Sequence, residues 1–139
     1  MADCIFCNIV NGKVKSFKIW EDEEFLILLD AFPVNEGHCL VLPKKHYKNW
    51  ESTPEEVRGR MFNLAVKLAS VFKKSLDADS FNIATAPSFV EHVHMHVVPR
   101  YDYDLMGFLP DLDNKRELPA KRMKELQKKL QEAVSEWKS

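Results

Sequence analysis

Glycine is scarce: four glycines are scattered through 139 residues, which excludes a Gly-rich phosphate-cradling loop and a flexible Gly/Ser linker. Long apolar runs are missing too. The longest, Phe25 to Leu29, is far short of the roughly 20 residues that span a bilayer. Met1-Ala2-Asp3 does not begin a basic, then apolar, leader, so an intracellular, cytoplasmic protein with no membrane partner is expected. Positive charge is not in excess. Against 21 Asp+Glu stand 20 Lys+Arg, for a formal net charge of -1, so no global field holds duplex phosphates and nucleic acid is not expected as the main partner. Cysteine is limited to Cys4, Cys7 and Cys39. An odd set in a reducing compartment reads as metal or redox chemistry rather than a disulfide framework. No internal repeat or low-complexity tract occurs, and 139 residues suit one domain, 1–139.

The chain nevertheless has what a core needs: 45% hydrophobic and 29% charged residues, near the globular average. Phe17 to Trp20 and Phe25 to Leu29, separated by the acidic turn Glu21-Asp22-Glu23-Glu24, read as a hairpin. Cys39 to Leu42 reads as a third strand after the Pro33/Gly37 loop. Thr53-Pro54-Glu55-Glu56 has the form of a capping box with Pro at the first helical position. Val57, Met61, Leu64, Ala65, Leu68, Val71 and Phe72 then recur at helical spacing. Phe81 to Ala86 and Glu91 to Pro99 read as two more strands joined by a turn at Pro87-Ser88. An irregular stretch follows Arg100, and Pro119 opens a terminal helix with Met123, Leu126, Leu130, Val134 and Trp137 on one face. Consecutive strands, in the order β-β-β-α-β-β-α, favour an antiparallel α+β sheet over a doubly wound one and exclude a dinucleotide-fold oxidoreductase.

All five histidines, His38, His46, His92, His94 and His96, fall in two short segments. In Glu91-His92-Val93-His94-Met95-His96-Val97 an extended backbone puts the three alternate histidines on one face, about 6.5 Å apart, and Val93, Met95 and Val97 on the other. A lone strand histidine is ordinarily structural. Three in alternation accept polar burial and mutual repulsion, which is sustained where they share a metal, a proton or a nucleophilic task. Two chemistries fit: a catalytic zinc ligated by the triad with water in the open position, or an imidazole nucleophile positioned by its neighbours. Cys4-x-x-Cys7 bears on the choice, because two thiolates with two imidazoles make a closed structural zinc site that would draw histidines out of catalysis.

His92-x-His94-x-His96 followed by apolar residues and Pro99-Arg100 resembles the signature of the histidine triad (HIT) proteins. Gly37-His38-Cys39-Leu40-Val41-Leu42-Pro43-Lys44-Lys45-His46 is similar to their preceding strand and loop, and Cys4-Ile5-Phe6-Cys7 to the opening of many members. The resemblance is strongest over 4–100. It implies a five-stranded antiparallel α+β subunit with one long central helix and a C-terminal helix, paired as a homodimer. It further implies cleavage of a phosphoramidate or phosphoanhydride bond at the α-phosphate of a purine nucleotide or nucleotide conjugate, through a nucleotidyl-histidine. His94 matches the nucleophile, His96 the residue orienting phosphate and leaving group, and His38 the histidine behind the triad. Asp30 matches the carboxylate that accepts from the ribose hydroxyls, and Ile5 and Phe6 the wall of the base pocket. Cys4, Cys7, His46 and His92 match the ligands of a structural zinc; no organic cofactor is implied. The family's Asn-x-Gly-x-x-Ala-Gly-Gln pattern is replaced here by Asn82-Ile83-Ala84-Thr85-Ala86-Pro87-Ser88, which offers Asn82 and Ser88 as substrate contacts but puts Pro87, with no N–H, in place of a glycine. Retention of His96, where the transferase branch has Gln, points to a hydrolase. A nucleotide-binding regulatory module with little turnover is the alternative of a different class.

Overall fold

The computed structural model describes residues 3–87 and 90–138. Its elements are α1 (Ile5–Val10), β1 (Lys18–Glu21), β2 (Phe25–Leu29), β3 (Cys39–Pro43), α2 (Glu55–Leu76), β4 (Ser80–Ala84), β5 (Met95–Arg100) and α3 (Ala120–Ala133). The strands form one antiparallel sheet in the order β1-β2-β3-β5-β4. The expected α+β class, five strands, long helix and C-terminal helix are all present.

Both faces of the sheet are covered, which explains why β2 and β3 are apolar without alternation and buried at every position. Phe25, Ile27, Leu29, Val41, Met95 and Val97 pack with Met61, Leu68 and Phe72 of α2 and Leu126 and Leu130 of α3. Leu26, Leu28, Leu40 and Leu42 face the other way and meet Phe6 and Ile9 of α1. The sequence gives no periodic signal for α1, a six-residue helix capped by Cys4, whose Sγ accepts from the Cys7 N–H at 3.3 Å. Val134 and Trp137 lie just past the end of α3 yet still belong to its buried face.

Two local expectations are corrected. The capping box does not form: Thr53 is buried and its hydroxyl donates to the Asn49 carbonyl at 2.8 Å, so α2 starts after Pro54 with no side-chain cap. Glu55 and Glu56 still complement the helix dipole in the first turn. Strand β5 begins at Met95, not Glu91. The β3 register pairs Val41 with Met95, which would set Val93 opposite Pro43, a residue with no N–H to continue the ladder. The Val93 N–H instead donates to the Tyr47 carbonyl at 2.9 Å, and the Pro43 carbonyl is taken by the His92 ring at 2.8 Å. Among the described residues no helix is long and apolar enough to cross a membrane.

Candidate active site

His96 lies on β5, paired with Leu40 of β3 and Ala84 of β4, and His38 immediately precedes β3. Gly37 adopts φ +92°, and a Cβ there would strike the side chains of Leu76 and Pro99, so glycine is required to swing the chain into β3 at this point. The Val34 N–H donates to His38 Nδ1 at 3.1 Å. That bond fixes the proton of neutral His38 on Nε2, which lies 2.9 Å from His96 Nδ1. His96 is therefore an acceptor at Nδ1 and carries its own proton on Nε2. His94 has the opposite tautomer: its Nδ1–H donates to the His92 carbonyl at 2.8 Å, leaving a lone pair on Nε2.

Burial keeps these rings neutral. It pushes the His38 pKa down to about 4, and burial with repulsion from His38 and His94 pushes His96 down to about 4. His94 is lowered by burial and held up in part by its bond to the His92 carbonyl. Asp30 follows the end of β2. Burial raises its carboxyl pKa, opposed by the Phe32 N–H that donates to Oδ1 at 2.9 Å, and its Oδ2 sits 3.6 Å from His38 Nε2. His94, His96, His38, Asp30, Ile5 and Phe6 all line one cavity of about 1300 Å³. Phe6 meets His94 edge-on at 5.0 Å between centroids and His92 at 5.7 Å.

His92 turns away into a second cluster. The donor atoms of Cys4, Cys7, His46 and His92 lie within 4.8 Å of one another. Cys4 Sγ is 3.3 Å from His92 Nδ1, and Cys7 Sγ is 3.3 Å from His46 Nδ1 and 3.6 Å from His92 Nδ1. A sulfur and a nitrogen sharing one tetrahedral zinc stand about 3.6 Å apart, given Zn–S and Zn–N bonds of about 2.3 and 2.1 Å. The Nε2–H of His92 is spent on the Pro43 carbonyl, which leaves Nδ1 unprotonated toward the sulfurs. Burial and the neighbouring Cys4 push the Cys7 thiol up to about 11, so two thiolates here call for a cation. The residues fit a closed Cys2His2 zinc site.

The triad imidazoles thus do not converge on one metal. Among the described residues the only other close group is Asp30, His38 and His96, and there the facing nitrogens of the two rings are joined by the hydrogen bond above. Catalytic zinc held by His92, His94 and His96 is excluded as a geometry. Asn82 is not brought to the histidine-lined cavity. It lies mid-strand in β4 opposite Val98, where its oxygen accepts from Arg100 Nη1 at 2.7 Å and its amide donates to the Phe108 carbonyl at 3.1 Å. It lines a separate cavity of about 410 Å³. Ser88 lies outside the described residues. The sequence carries no local signal for Lys115, which lines the main cavity from the irregular segment after β5 and reaches it only through the tertiary fold.

An α+β subunit that sets His94, at the entry to β5, and His96, on it, beside a half-buried carboxylate defines the class. The HIT domain profile matches residues 11–103, more than half of the chain, and the chain belongs to the HIT family. A Zn-bound histidine triad family protein from Mycobacterium smegmatis superposes with a TM-score of 0.81 at 34% identity, covering 96% of this chain and 94% of that one. A hypothetical histidine triad nucleotide-binding protein from Sulfolobus tokodaii gives 0.80 at 30% identity, covering 95% and 92%. Adenylylsulfatase HINT3 of Arabidopsis thaliana is 35% identical over 109 residues, 75% of this chain and 55% of that protein.

Proposed function

We propose that this protein is a nucleotide hydrolase that cleaves a phosphoramidate or phosphoanhydride bond at the α-phosphorus of a purine nucleotide or its conjugate. The observation that carries this reading is the pair of opposed tautomers: His94 offers a bare Nε2 lone pair and His96 an Nε2–H, both on rings that burial keeps neutral. A neutral imidazole is a competent nucleophile, and a neighbouring N–H can bind a non-bridging phosphate oxygen with little reorganisation. His94 Nε2 attacks phosphorus, a P–N bond forms, and the scissile bond breaks with its electron pair leaving on the departing group; an amine takes up a proton as it leaves. The imidazolium so formed keeps its Nδ1–H on the His92 carbonyl, which stabilises it. Water then attacks phosphorus, the P–N pair returns to Nε2, and the nucleoside monophosphate departs with a proton released.

Asp30 Oδ2 would accept from the ribose hydroxyls, and Ile5 and Phe6 would wall the base. A nucleotide ligand agrees with the Sulfolobus relative's description, and chemistry at an adenylyl phosphorus with that of the Arabidopsis relative. Cys4, Cys7, His46 and His92 would hold a zinc whose role is to cross-link α1 to the segment that supplies the His92 carbonyl. Three cysteines outside any disulfide suit the reducing cytoplasm. Exposed Phe62 and Val66 on α2 and Phe81 on edge strand β4 suit a homodimer.

His94→Ala should abolish turnover and leave nucleotide affinity within about threefold, because the lost atom makes its bond only along the reaction path. Wild-type protein quenched at alkaline pH during turnover should carry a nucleoside monophosphate mass on the His94 peptide. Turnover surviving in His94→Ala would sink the mechanism; nucleotide binding without any turnover in the wild type would make the protein a binding module.

A further inference from the structure

The segment after β5 is pinned across the loop that carries the histidine relay. The Arg116 N–H donates to the Pro33 carbonyl at 3.2 Å, and its Nη2 donates to the Val34 carbonyl at 3.2 Å. The N–H of the same Val34 holds His38 Nδ1. One short loop therefore registers Lys115, the residue before Arg116, against His38 and His96. Lys115 lines the same cavity as these histidines, and its ammonium acts on both Asp30 and His96, lowering the pKa of each.

Charge balance gives that ammonium a task. Beside the three neutral imidazoles stands the Asp30 carboxylate, which repels a phosphate chain. Among the described residues that line the cavity, Ala86 has no polar side-chain atom and Pro87 no N–H. Lys15 and Lys124 also line the cavity, as do Asp111 and Asp113, but it is Lys115 whose charge reaches both Asp30 and His96. The volume of about 1300 Å³ exceeds the roughly 300–1,000 Å³ of ordinary small-molecule pockets, leaving room beyond a nucleoside monophosphate.

We infer that Lys115 is a phosphate-binding residue of this pocket, selecting nucleotide conjugates whose departing group carries phosphate over those that release a neutral amine. The inference rests on the proposed function for its substrate class, yet Lys115 can be tested apart from it. Lys115 is exposed, so Lys115→Met is expected to fold. It should lower kcat/KM for a dinucleoside tetraphosphate by roughly 10- to 100-fold, the loss that follows removal of a charge-assisted hydrogen bond. The loss on adenosine 5′-phosphoramidate should be at least about tenfold smaller, and Lys115→Arg should restore most of the tetraphosphate rate. Calorimetry supplies a readout independent of turnover: Lys115→Met should weaken adenosine 5′-tetraphosphate against AMP by a similar factor. Equal losses on both substrates, no loss on either, or an unchanged tetraphosphate-to-AMP affinity ratio would overturn the inference. If the wild type hydrolyses neither substrate the proposed function falls, and the affinity ratio alone then upholds or overturns Lys115.

Discussion

At the scale of single residues, chemistry is set by which ring nitrogen holds a proton, and three backbone groups decide it. The His92 and Pro43 carbonyls bind the rings of His94 and His92, and the Val34 N–H acts on His96 through His38, so three histidines alike in sequence differ in the nitrogen left bare: Nε2 in His94, Nδ1 in His92 and His96. The same burial makes the protein sensitive to acid. In the unfolded chain His38 and His96 take up protons near pH 6.5, whereas in the fold both stay neutral down to about 4. The unfolded state binds more protons between those values, so stability falls as pH drops through that window, by up to about 1.4 kcal/mol per pH unit for each ring. Glu21 and Glu36, whose ion pairs with Lys44 and Arg122 hold their carboxyls below the usual range, act only at lower pH. Thermal unfolding between pH 7 and 4.5 should show the decline, and His38→Gln should flatten it. An unchanged slope in the variant would assign the acid sensitivity to other groups.

Among the elements, α1 and the start of β5 depend most on their surroundings. A six-residue helix does not form unaided in water. Here Phe6 and Ile9 are buried against Leu26, Leu28, Leu40 and Leu42, and Cys4 and Cys7 stand in the donor cluster with His46 and His92. Structural zinc contributes about 10–16 kcal/mol in zinc-finger peptides, and even a small part of that would govern this corner. Protein purified without a His-tag should contain close to one zinc per chain. Cys4→Ser with Cys7→Ser should remove it and lower the melting temperature by several degrees, at about 4 °C for each kcal/mol in a chain of this size. Unchanged metal content and melting would end the zinc proposal. Because Phe6 also packs edge-on against His94, the double variant should raise KM as well as loosen the fold.

For the whole molecule, the unsettled surface is that of α2 and β4. Phe62 and Val66 lie one turn apart on α2, and Phe81 projects from the edge strand; their exposures are 51%, 42% and 41%. An edge strand beside apolar helix positions invites a second copy of the chain. Light scattering should give a mass twice the 16.2 kDa of one chain, and Phe62→Glu should shift the protein toward monomer at micromolar concentration. A monomeric wild type would remove the dimer.

What the sequence determined by itself is what local pattern encodes. The helical spacing from Val57 to Phe72 and the alternation from His92 to His96 were legible because each repeats a backbone period, and Phe25 to Leu29 because five consecutive apolar residues bounded by polar turns read as a strand. The inward placement of Val93, Met95 and Val97 needed no other part of the chain. Only the tertiary structure decided where Asn82 points, since its partners Arg100 and Phe108 are distant in sequence. It alone decided that β5 starts at Met95, because Pro43 on another strand ends the ladder. It alone brought Lys115 to His96, through Arg116 and the Pro33–Val34 carbonyls. A periodic pattern reports which face is buried; which group a side chain meets there depends on chain crossings that bring distant residues together.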